Sequence, residues 1–294
     1  MIEVRFAKKG ETARQKEIWK LGFGDSDRYI DFYYTNRYQE DETLLLLEGG
    51  EIAAMLTMLP VKVTTSTGAS IDSAMLYALA THPNYRQRGY ATRLLDFACH
   101  YLGQQGSLFS VIVPAGKKLF DYYHRQGFRD FFFVRQLTFD REKVESLTVE
   151  AKSCIITSIS PQEYNRRREK LLRRKTHVSY SIGDIDYQRK LSQMSGADIY
   201  GIAVEGTQGC AVIEMRGKDK VLIKELLIAD QFIPTAVRQI AQLLPAEKYI
   251  LRTPPFLGSR LEGTIRLFGM IRANQGVDPE SIPDGPGYLG LAFD

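Results

Sequence analysis

The chain has 294 residues, and at roughly 150 residues per domain this length predicts about two domains. Hydrophobic residues make up 44% of the sequence and charged residues 25%, the balance of a globular protein rather than a disordered one. The net charge of +4 is too small for a dedicated nucleic-acid binder. No apolar run approaches the roughly 18 residues that cross a bilayer. We therefore expect neither nucleic acid nor a membrane as a partner.

Three cysteines are spread along the sequence, at Cys99, Cys154 and Cys210. They are too few for a disulfide framework and match no zinc-ligand spacing. A low, odd count is typical of a reducing compartment. The first ten residues, MIEVRFAKKG, lack the long apolar core of a signal peptide. The sequence therefore predicts a cytoplasmic protein without a metal site.

The first half of the sequence alternates between strand and helix patterns. Strands are predicted at 2–7, 43–48, 52–59, 74–81, 107–113 and 131–139. Helices are predicted at 11–21, 26–38, 92–102 and 117–126. Gly49-Gly50 predicts a hairpin turn between the second and third strands. The helix at 92–102 has the clearest apolar face, which consists of Leu94, Leu95, Ala98, Cys99 and Leu102.

A charged and then Ser/Thr-rich stretch at 141–155 separates the two halves. The second half is predicted to hold strands at 199–204, 210–215, 221–228, 249–252 and 288–293, and helices at 163–175 and 233–244. Its order of elements resembles that of the first half and suggests a diverged duplication. The sequence thus predicts an α/β (α+β) fold with domains at 1–145 and 150–294, each a mixed twisted sheet flanked by helices.

Residues 74–93, AMLYALATHPNYRQRGYATR, run from an apolar strand through a turn into an amphipathic helix. A helix N-terminus leaves several backbone N–H groups unpaired and carries about half a positive charge. Gly89 and the small Ala91 let the backbone approach a ligand closely, and Arg86 and Arg88 add charge. The pattern predicts a pyrophosphate site. Taken alone, it is equally typical of an ordinary strand–turn–helix connection.

Two linked motifs favour the functional interpretation. Residues 86–91 match Arg/Gln-x-x-Gly-x-Gly/Ala, and residues 123–128, YHRQGF, match Tyr-x-x-x-Gly-Phe. Together with the element order of residues 1–140, they resemble the GCN5-related N-acetyltransferase (GNAT) family, in which the first motif binds acetyl-coenzyme A (acetyl-CoA). The resemblance implies an N-acetyltransferase that moves an acetyl group from acetyl-CoA, its co-substrate, to a primary amine of a small molecule or peptide.

The resemblance also implies a role for each matching position. The strand at Leu79, Ala80 and Thr81 would splay from its neighbour at 107–113 and bind the pantetheine arm through free backbone groups. One of its amides would polarise the thioester carbonyl. The implied pyrophosphate site consists of Arg86, Gln87, Arg88, Gly89, Tyr90, Ala91 and Thr92.

Tyr123 would protonate the departing thiolate as the general acid, since a phenol pKa of about 10 is comparable with a thiol pKa of about 8.5. The adjacent Tyr122 is a rival, but the register relative to Gly127 favours Tyr123. A core aromatic residue with a satisfied hydroxyl is the alternative interpretation of either tyrosine. No cysteine lies beside the motif with an evident partner base, so we expect direct transfer without a covalent enzyme intermediate.

An intact GNAT domain followed by a degenerate copy resembles acetyltransferases of the enhanced-intracellular-survival type. The resemblance is partial, because those proteins usually carry a third, sterol-carrier-like domain. That type uses its terminal carboxylate as the general base, which implies this role for Asp294; an exposed strand end is the alternative. The turn before the predicted helix at 233 has neither arginine nor glycine. We therefore expect the second half to line the acceptor pocket or form an interface, for example in a homo-oligomer.

Two charged regions invite a functional interpretation. Residues 166–175, RRREKLLRRK, form a basic helix face that suits nucleic acid or anionic lipid. A solvated helix with Leu171 and Leu172 docked inward is favoured, because no aromatic residues are interleaved. Six acidic residues lie where the family places its acceptor-binding helices, and they either attract a cationic amine or are simply exposed. These are Asp25, Asp27, Asp31, Glu40, Asp41 and Glu42.

The residues leave two other functions open. One is a catalytically inactive acyl-CoA-binding or regulatory protein that keeps the anion site without transfer. The other is a nucleic-acid-binding module that uses the basic helix face. The acceptor itself is not identified by the sequence, since aminoglycosides, polyamines, peptide N-termini, lysine and small metabolite amines all satisfy the same motifs.

Overall fold

The computed structural model describes residues 1–151 and 153–293, which divide into two compact units. Unit 1 comprises residues 1–63, 70–130 and 269–284. Unit 2 comprises residues 64–69, 131–268 and the described residues from 285 onward. Each unit therefore takes in segments from distant parts of the sequence, whereas the predicted domains, 1–145 and 150–294, are continuous.

Unit 1 is built on a mixed sheet with four helices. Its first five strands, in spatial order, are β1 (Ile2–Phe6), β2 (Thr43–Glu48), β3 (Glu51–Thr64), β4 (Ser70–Thr81) and β5 (Phe109–Ile112). Its helices are α1 (Thr12–Phe23), α2 (Asp27–Asn36), α3 (Tyr90–Gln104) and α4 (Lys117–Arg125). Strands β1 to β3 pair antiparallel, whereas β4 and β5 are parallel. Gly49 and Gly50, with φ of 61° and 91°, form the predicted two-residue hairpin turn.

Helix α3 packs its apolar face on this sheet. Leu94, Leu95 and Ala98 are fully buried, because residues at this spacing share one side of a helix. They meet Leu44 and Leu46, which are alternate residues of β2 and so point to one face of the sheet. We call this group the α3 core. It also includes residues of β3, β4 and α4, and it positions the strand and helices that form the candidate site.

Unit 2 repeats a sheet-and-helix arrangement. Its strands are β6 (Arg129–Asp140), β7 (Ile155–Ser158), β8 (His177–Ser179), β9 (Ile199–Val204), β10 (Thr207–Met215), β11 (Lys220–Leu227) and β12 (Lys248–Thr253). Its helices are α5 (Arg141–Glu145), α6 (Pro161–Leu171), α7 (Ile182–Ser195) and α8 (Ile233–Leu243). Six of its strands are ordered β6-β12-β11-β10-β9-β7, and β11 and β12 are parallel.

A last strand, β13 (Thr264–Ala273), contributes to unit 1 from Gly269 onward, where it pairs antiparallel with β5. The predicted fold class, mixed sheets flanked by helices in a two-domain architecture, is confirmed. No helix in the described part of the chain is long and apolar enough to span a membrane.

The predicted strand at 288–293 is wrong. Only isolated bridges occur there, at Gly287 and Tyr288, and the following residues form no strand. Gly290 and Phe293 adopt φ of 78° and 57°, which interrupts an extended backbone. The carbonyl oxygen of Tyr288 still accepts from the N–H of Val178 on β8, but those of Leu289 and Leu291 accept hydrogen bonds from side chains instead of from a strand. Helix α7 and strand β13 were not predicted.

The run at 166–175 has the expected exposed basic residues and an inward-docked Leu172, which is fully buried, but Arg168 departs from the expectation. Arg168 on α6 is fully buried, and its Nε lies 3.0 Å from Oε2 of the equally buried Glu225 on β11. Its other guanidinium nitrogens donate to the carbonyl oxygens of Val178 (2.8 Å) and Leu289 (3.2 Å). The neighbouring Arg166 is exposed, as expected. One arginine of the basic run is therefore a structural core residue.

Candidate active site

The loop between β4 and α3 leaves a run of backbone N–H groups without partners. Within residues 1–151 and 153–293, the amides of Gln87 through Thr92 donate no hydrogen bond. Gln87 and Gly89 adopt φ of 63° and 75°, and no side chain caps the start of α3. Successive amides in such a turn form a concave anion site, to which the helix N-terminus adds partial positive charge. The loop therefore has the donors that a pyrophosphate group requires.

The two arginines of the motif are held by the protein itself. Arg86 donates from Nε to the carbonyl oxygen of Thr81 and from Nη2 to that of Leu21, both at 3.3 Å. Arg88 pairs with Glu48, with Nη1 2.7 Å from Oε2. Both side chains are exposed, so their charge remains beside the loop. The backbone amides provide the unsatisfied donors, and the arginines tie the loop to its surroundings.

Strand β4 extends beyond the end of its pairing with the parallel strand β5. The pairing with β5 ends at Leu76 and Ile112, and β4 continues to Thr81, so Leu79, Ala80 and Thr81 lie beyond the last pair. Ala78 has a φ of 51°, which breaks the strand alternation. An edge of this kind can pair with an extended ligand through backbone hydrogen bonds.

Tyr123 is brought by α4 into the α3 core, where Tyr90 also lies and against which Leu79 packs. Its side chain is only 6% exposed, and its ring centroid lies 5.7 Å from that of Phe128. In the part of the chain that the structure describes, the Tyr123 hydroxyl has no hydrogen-bond partner. Burial raises the pKa of this hydroxyl well above its usual range. A core tyrosine with a satisfied hydroxyl therefore does not describe Tyr123.

Tyr122 differs from Tyr123 in both exposure and partners. It is half-buried, and its hydroxyl oxygen lies 3.2 Å from Oγ1 of Thr92, at the start of α3. Burial raises the pKa of Tyr122 as well. The hydroxyl of Tyr122 thus joins α4 to the anion loop, whereas that of Tyr123 is not engaged by any residue that the structure describes.

Several predicted candidates are already paired or lie elsewhere. Asp27 and Asp31 form exposed ion pairs with Lys20 and Lys16, at 2.8 and 2.7 Å. Asp294, the implied general base, lies outside the described residues. Among the described residues, no group of three or more His, Cys, Asp or Glu side chains is arranged to hold a metal ion.

Two features of β4 were not predicted from the sequence. Tyr77, the first residue beyond the last parallel pair, contacts aromatic rings of α1 and α2. Ala78 provides the irregularity that reorients the strand, although alanine rarely adopts a positive φ and so gives no sequence signal. The aromatic residues of α1 and α2 are visible in the sequence, but their convergence on Tyr77 is a tertiary contact.

A known domain family and several solved structures resemble this chain. The sequence profile of the acetyltransferase (GNAT) domain matches residues 3–130. No curated protein matches the chain by sequence. A solved GCN5-related N-acetyltransferase from Anabaena variabilis ATCC 29413 is similar, with a TM-score of 0.74, 14% identity and coverage of 92% of this chain and 72% of that one.

Two further solved structures are similar to this chain. Eis1 from Mycobacterium abscessus is 12% identical, with a TM-score of 0.66 and coverage of 92% of this chain and 73% of that one. A tandem GNAT protein from the clavulanic acid biosynthesis pathway is 13% identical, with a TM-score of 0.56 and coverage of 95% and 100%. At these identities the likeness shows the fold alone.

The matched domain and the shared fold confirm the resemblance that the two motifs predicted. The GNAT family uses acetyl-CoA as its acetyl donor, and the matched region contains the anion loop, the extension of β4 and Tyr123. Residues 3–130 are therefore similar to the acetyltransferase (GNAT) domain, and the chain shares its fold with solved GNAT proteins.

Proposed function

We propose that the chain transfers the acetyl group of acetyl-CoA to a primary amine by direct attack on the thioester. The observation that carries the proposal is the run of unsatisfied amides from Gln87 to Thr92, next to the extension of β4. The amides would bind the pyrophosphate, and the edge at Leu79–Thr81 would bind the pantetheine arm. Bound in this way, the thioester would lie where the pairing of β4 with β5 ends, which we call the split between β4 and β5.

The chemistry follows from that placement. The neutral amine nitrogen attacks the thioester carbonyl carbon, and a backbone amide of β4 stabilises the oxyanion. The N–C bond forms, the C–S bond breaks, and the excess proton leaves the nitrogen to a base. Tyr123 donates its proton to the departing thiolate. The products are an amide and free coenzyme A.

The raised pKa of Tyr123 has two opposing consequences for this role. Burial keeps the phenol protonated at any physiological pH, so the acid form is always present. It also makes the phenol a weaker acid than the thiol of coenzyme A, since a thiol has a pKa of only about 8.5. Complete proton transfer from the phenol to the thiolate is then less favourable. The hydroxyl therefore acts mainly as a hydrogen-bond donor to the developing thiolate and completes the transfer as coenzyme A leaves.

A covalent route through cysteine has no support. Burial raises the pKa of all three thiols, Cys99, Cys154 and Cys210, so none is held as a reactive thiolate. Cys99 and Cys210 are also fully buried. These properties favour direct transfer.

Tyr123→Phe tests the proposal, with Tyr122→Phe as the matched control. Removing the Tyr123 hydroxyl should lower kcat by about 10²- to 10⁴-fold, the usual contribution of a general acid. Stabilisation by acetyl-CoA, about 2.7 kcal/mol at a hundredfold excess over Kd, should be unchanged. The measurements are thiol release and thermal unfolding.

The control separates the two tyrosines. Tyr122→Phe loses only a hydroxyl contact to Thr92 and should keep most of the turnover. A larger loss in Tyr122→Phe than in Tyr123→Phe would reverse the assignment. Binding of acetyl-CoA without turnover of any amine would indicate the non-catalytic acyl-CoA-binding protein instead.

We further propose that the terminal carboxylate of Asp294 accepts the proton from the amine. The support is the resemblance to enhanced-intracellular-survival acetyltransferases, because Asp294 lies outside the described residues. Deletion of Asp294 should lower kcat by about 10²-fold or more without weakening acetyl-CoA binding. Asp294→Asn is the matched control, since it keeps the α-carboxylate and should remain active. Equal activity of all three chains would exclude the proposal.

A further inference from the structure

A cluster of aromatic rings surrounds Trp19 in unit 1, outside the α3 core. The ring centroids of Tyr33, Tyr77 and Phe23 lie 4.8, 5.6 and 5.8 Å from that of Trp19. Tyr34 and Tyr29 follow at 6.1 and 6.4 Å. Trp19 and Tyr33 are buried, whereas Tyr29 and Tyr77 are half-buried and Phe23 is 43% exposed. This aromatic cluster, formed by α1, α2 and β4, thus has a buried centre. Its rim, which consists of Phe23, Tyr29 and Tyr77, is partly exposed.

The cluster meets the candidate site at Tyr77. This residue directly follows Leu76, the last residue of β4 that pairs with β5, and its hydroxyl lies 3.2 Å from that of Tyr29. Leu76 and Leu79 both contact the α3 core, which contains Tyr123, whereas Tyr77 points to the rings of α1 and α2. Tyr123 and Tyr77 thus approach β4 from different sides. If Tyr123 protonates the thiolate from one side of β4, the amine can approach the thioester from the other side, where Tyr77 lies.

The end of α1 carries apolar surface to the same place. A Cβ on Gly22 would lie 3.1 Å from that of Ala80 on β4, and the carbonyl oxygen of Leu21 accepts a hydrogen bond from Arg86. Leu21 is 48% exposed. Leu21 therefore adds exposed apolar surface beside Phe23, next to the extension of β4 and the anion loop.

The charges around this rim are largely paired within the chain. Asp31 and Asp27 are bound by Lys16 and Lys20, and Asp25 accepts a hydrogen bond from the Trp19 indole nitrogen at 2.8 Å. A polycationic acceptor would have to displace these lysines. Ring faces, by contrast, attract a single ammonium group and stack with a flat apolar body.

Building on the proposed function, we propose that the acceptor is a primary amine carried on an aromatic body, an arylalkylamine. Its ring would pack on the rim formed by Phe23, Tyr29 and Tyr77, which directs the amine toward the split between β4 and β5. Aminoglycosides and aliphatic polyamines lack an aromatic ring that could pack on this rim. They also carry several positive charges, whereas the nearby carboxylates Asp27 and Asp31 are already paired with lysines.

Trp19 is the only tryptophan of the sequence, so its fluorescence reports on this cluster without requiring turnover. Titration of the full chain with phenethylamine should change the emission saturably. Spermidine and kanamycin, as representatives of the polyamine and aminoglycoside classes, should not. Absence of a saturable response to phenethylamine would overturn the proposal.

Phe23→Ala tests the rim, and Phe97→Ala is its matched control. Both are exposed helical phenylalanines, at 43% and 36%, but Phe97 lies on α3 rather than in the aromatic cluster. Loss of one aromatic contact should weaken phenethylamine binding by about three- to tenfold in Phe23→Ala. Phe97→Ala should bind like the parent chain. Equal effects in both variants would contradict the proposal.

Turnover separates this proposal from the proposed function. Thiol release with acetyl-CoA should give a kcat/KM for phenethylamine at least about tenfold above those for spermidine and kanamycin. Preference for either of those acceptors would overturn the arylalkylamine proposal and leave acetyl transfer standing. Saturable binding of phenethylamine without acetylation of any amine would overturn acetyl transfer and leave the binding surface standing.

Discussion

The two units contain the same crossover, and only one of them forms a candidate site. In unit 1, β4 leads through α3 into the parallel strand β5. In unit 2, β11 leads through α8 into the parallel strand β12. In both, the first strand continues past the last parallel pair, to Thr81 and to Leu227. The shared topology therefore does not decide which crossover can bind a ligand.

The loops before the two helices differ in what they leave unsatisfied. The loop of unit 1 has positive φ at Gln87 and Gly89 and a run of unpaired amides. The turn of unit 2 enters α8 with Pro234 in its first turn, which has no N–H to donate. Asp230 puts a carboxylate there, and it accepts hydrogen bonds from Gly258 and Ser259. One loop offers a continuous run of donors to an anion, whereas the other interrupts its donors with a proline and places a carboxylate that repels an anion.

The strand residues after the last parallel pair differ in the same way. In unit 2 these are Lys224 and Glu225, both fully buried. The register shift opposite Val212 makes Lys224 an extra residue, which lets both side chains face α6 and α7. Lys224 pairs with Glu214 at 2.9 Å, and Glu225 binds Arg168 and the Tyr164 hydroxyl. Unit 2 thus uses buried polar groups for its own stability, whereas unit 1 leaves them for a ligand.

Arg168→Met is expected to have the largest effect, and it tests the structural use of polar groups in unit 2. Removing one partner of a buried ion pair leaves Glu225 buried and uncompensated, which typically costs about 3–5 kcal/mol. The midpoint of denaturant unfolding, followed by circular dichroism, should fall strongly. Arg166→Met, on the exposed face of the same helix, should change it little. Equal midpoints for the two variants would show that the buried pair is dispensable.

Ala91→Pro tests the loop of unit 1, because it introduces the proline that unit 2 has at the equivalent position of α8. Ala91 is the second residue of α3, as Pro234 is of α8, and the first turn of a helix tolerates proline. The variant loses one amide of the anion loop, which should weaken acetyl-CoA binding by about 1.5–3 kcal/mol, the usual contribution of a hydrogen bond to a charged group.

The reciprocal change, Pro234→Ala, supplies the control for this comparison. It restores an amide to α8 but leaves Asp230 in place, so the acetyl-CoA affinity of the chain should not change. Calorimetric titration measures both variants. Unchanged affinity in Ala91→Pro would mean that the amides of the loop do not hold the cofactor.

What could be predicted from the sequence is local. The hairpin at Gly49-Gly50 and the apolar face of α3 each depend on residues close in the sequence, and both are present. Helix α7 was not predicted, because its buried face includes polar residues such as Gln188 and Ser192 and so lacks the apolar spacing of an amphipathic helix. The terminal segment resembles a strand in its apolar character, but its backbone is set by Gly290 and by contacts with distant side chains.

The same distinction applies to function. The anion loop could be predicted because glycine, arginine and a helix start are adjacent in the sequence, although its role as a cofactor site stays a prediction. The burial of Arg168 could not, because its partner Glu225 lies far along the chain. The aromatic cluster was also missed, since its rings come from α1, α2 and β4 and converge only in the folded unit.

The smallest expected effect concerns the pH dependence of turnover, and it tests whether the unsatisfied hydroxyl of unit 1 is the acid. An exposed phenol has a pKa of about 10 and would lose about half of its acid form at that pH. Burial raises the pKa of Tyr123, so the proton stays bound as the pH rises through this value. At saturating amine, kcat should therefore fall by less than about twofold between pH ~7 and pH ~10. The residual activity of Tyr123→Phe, measured over the same range, corrects for the titration of other groups. A basic limb near pH ~10 that is present in the parent chain and absent from Tyr123→Phe would show that the acid is solvated, and would remove the reason for its burial in the α3 core.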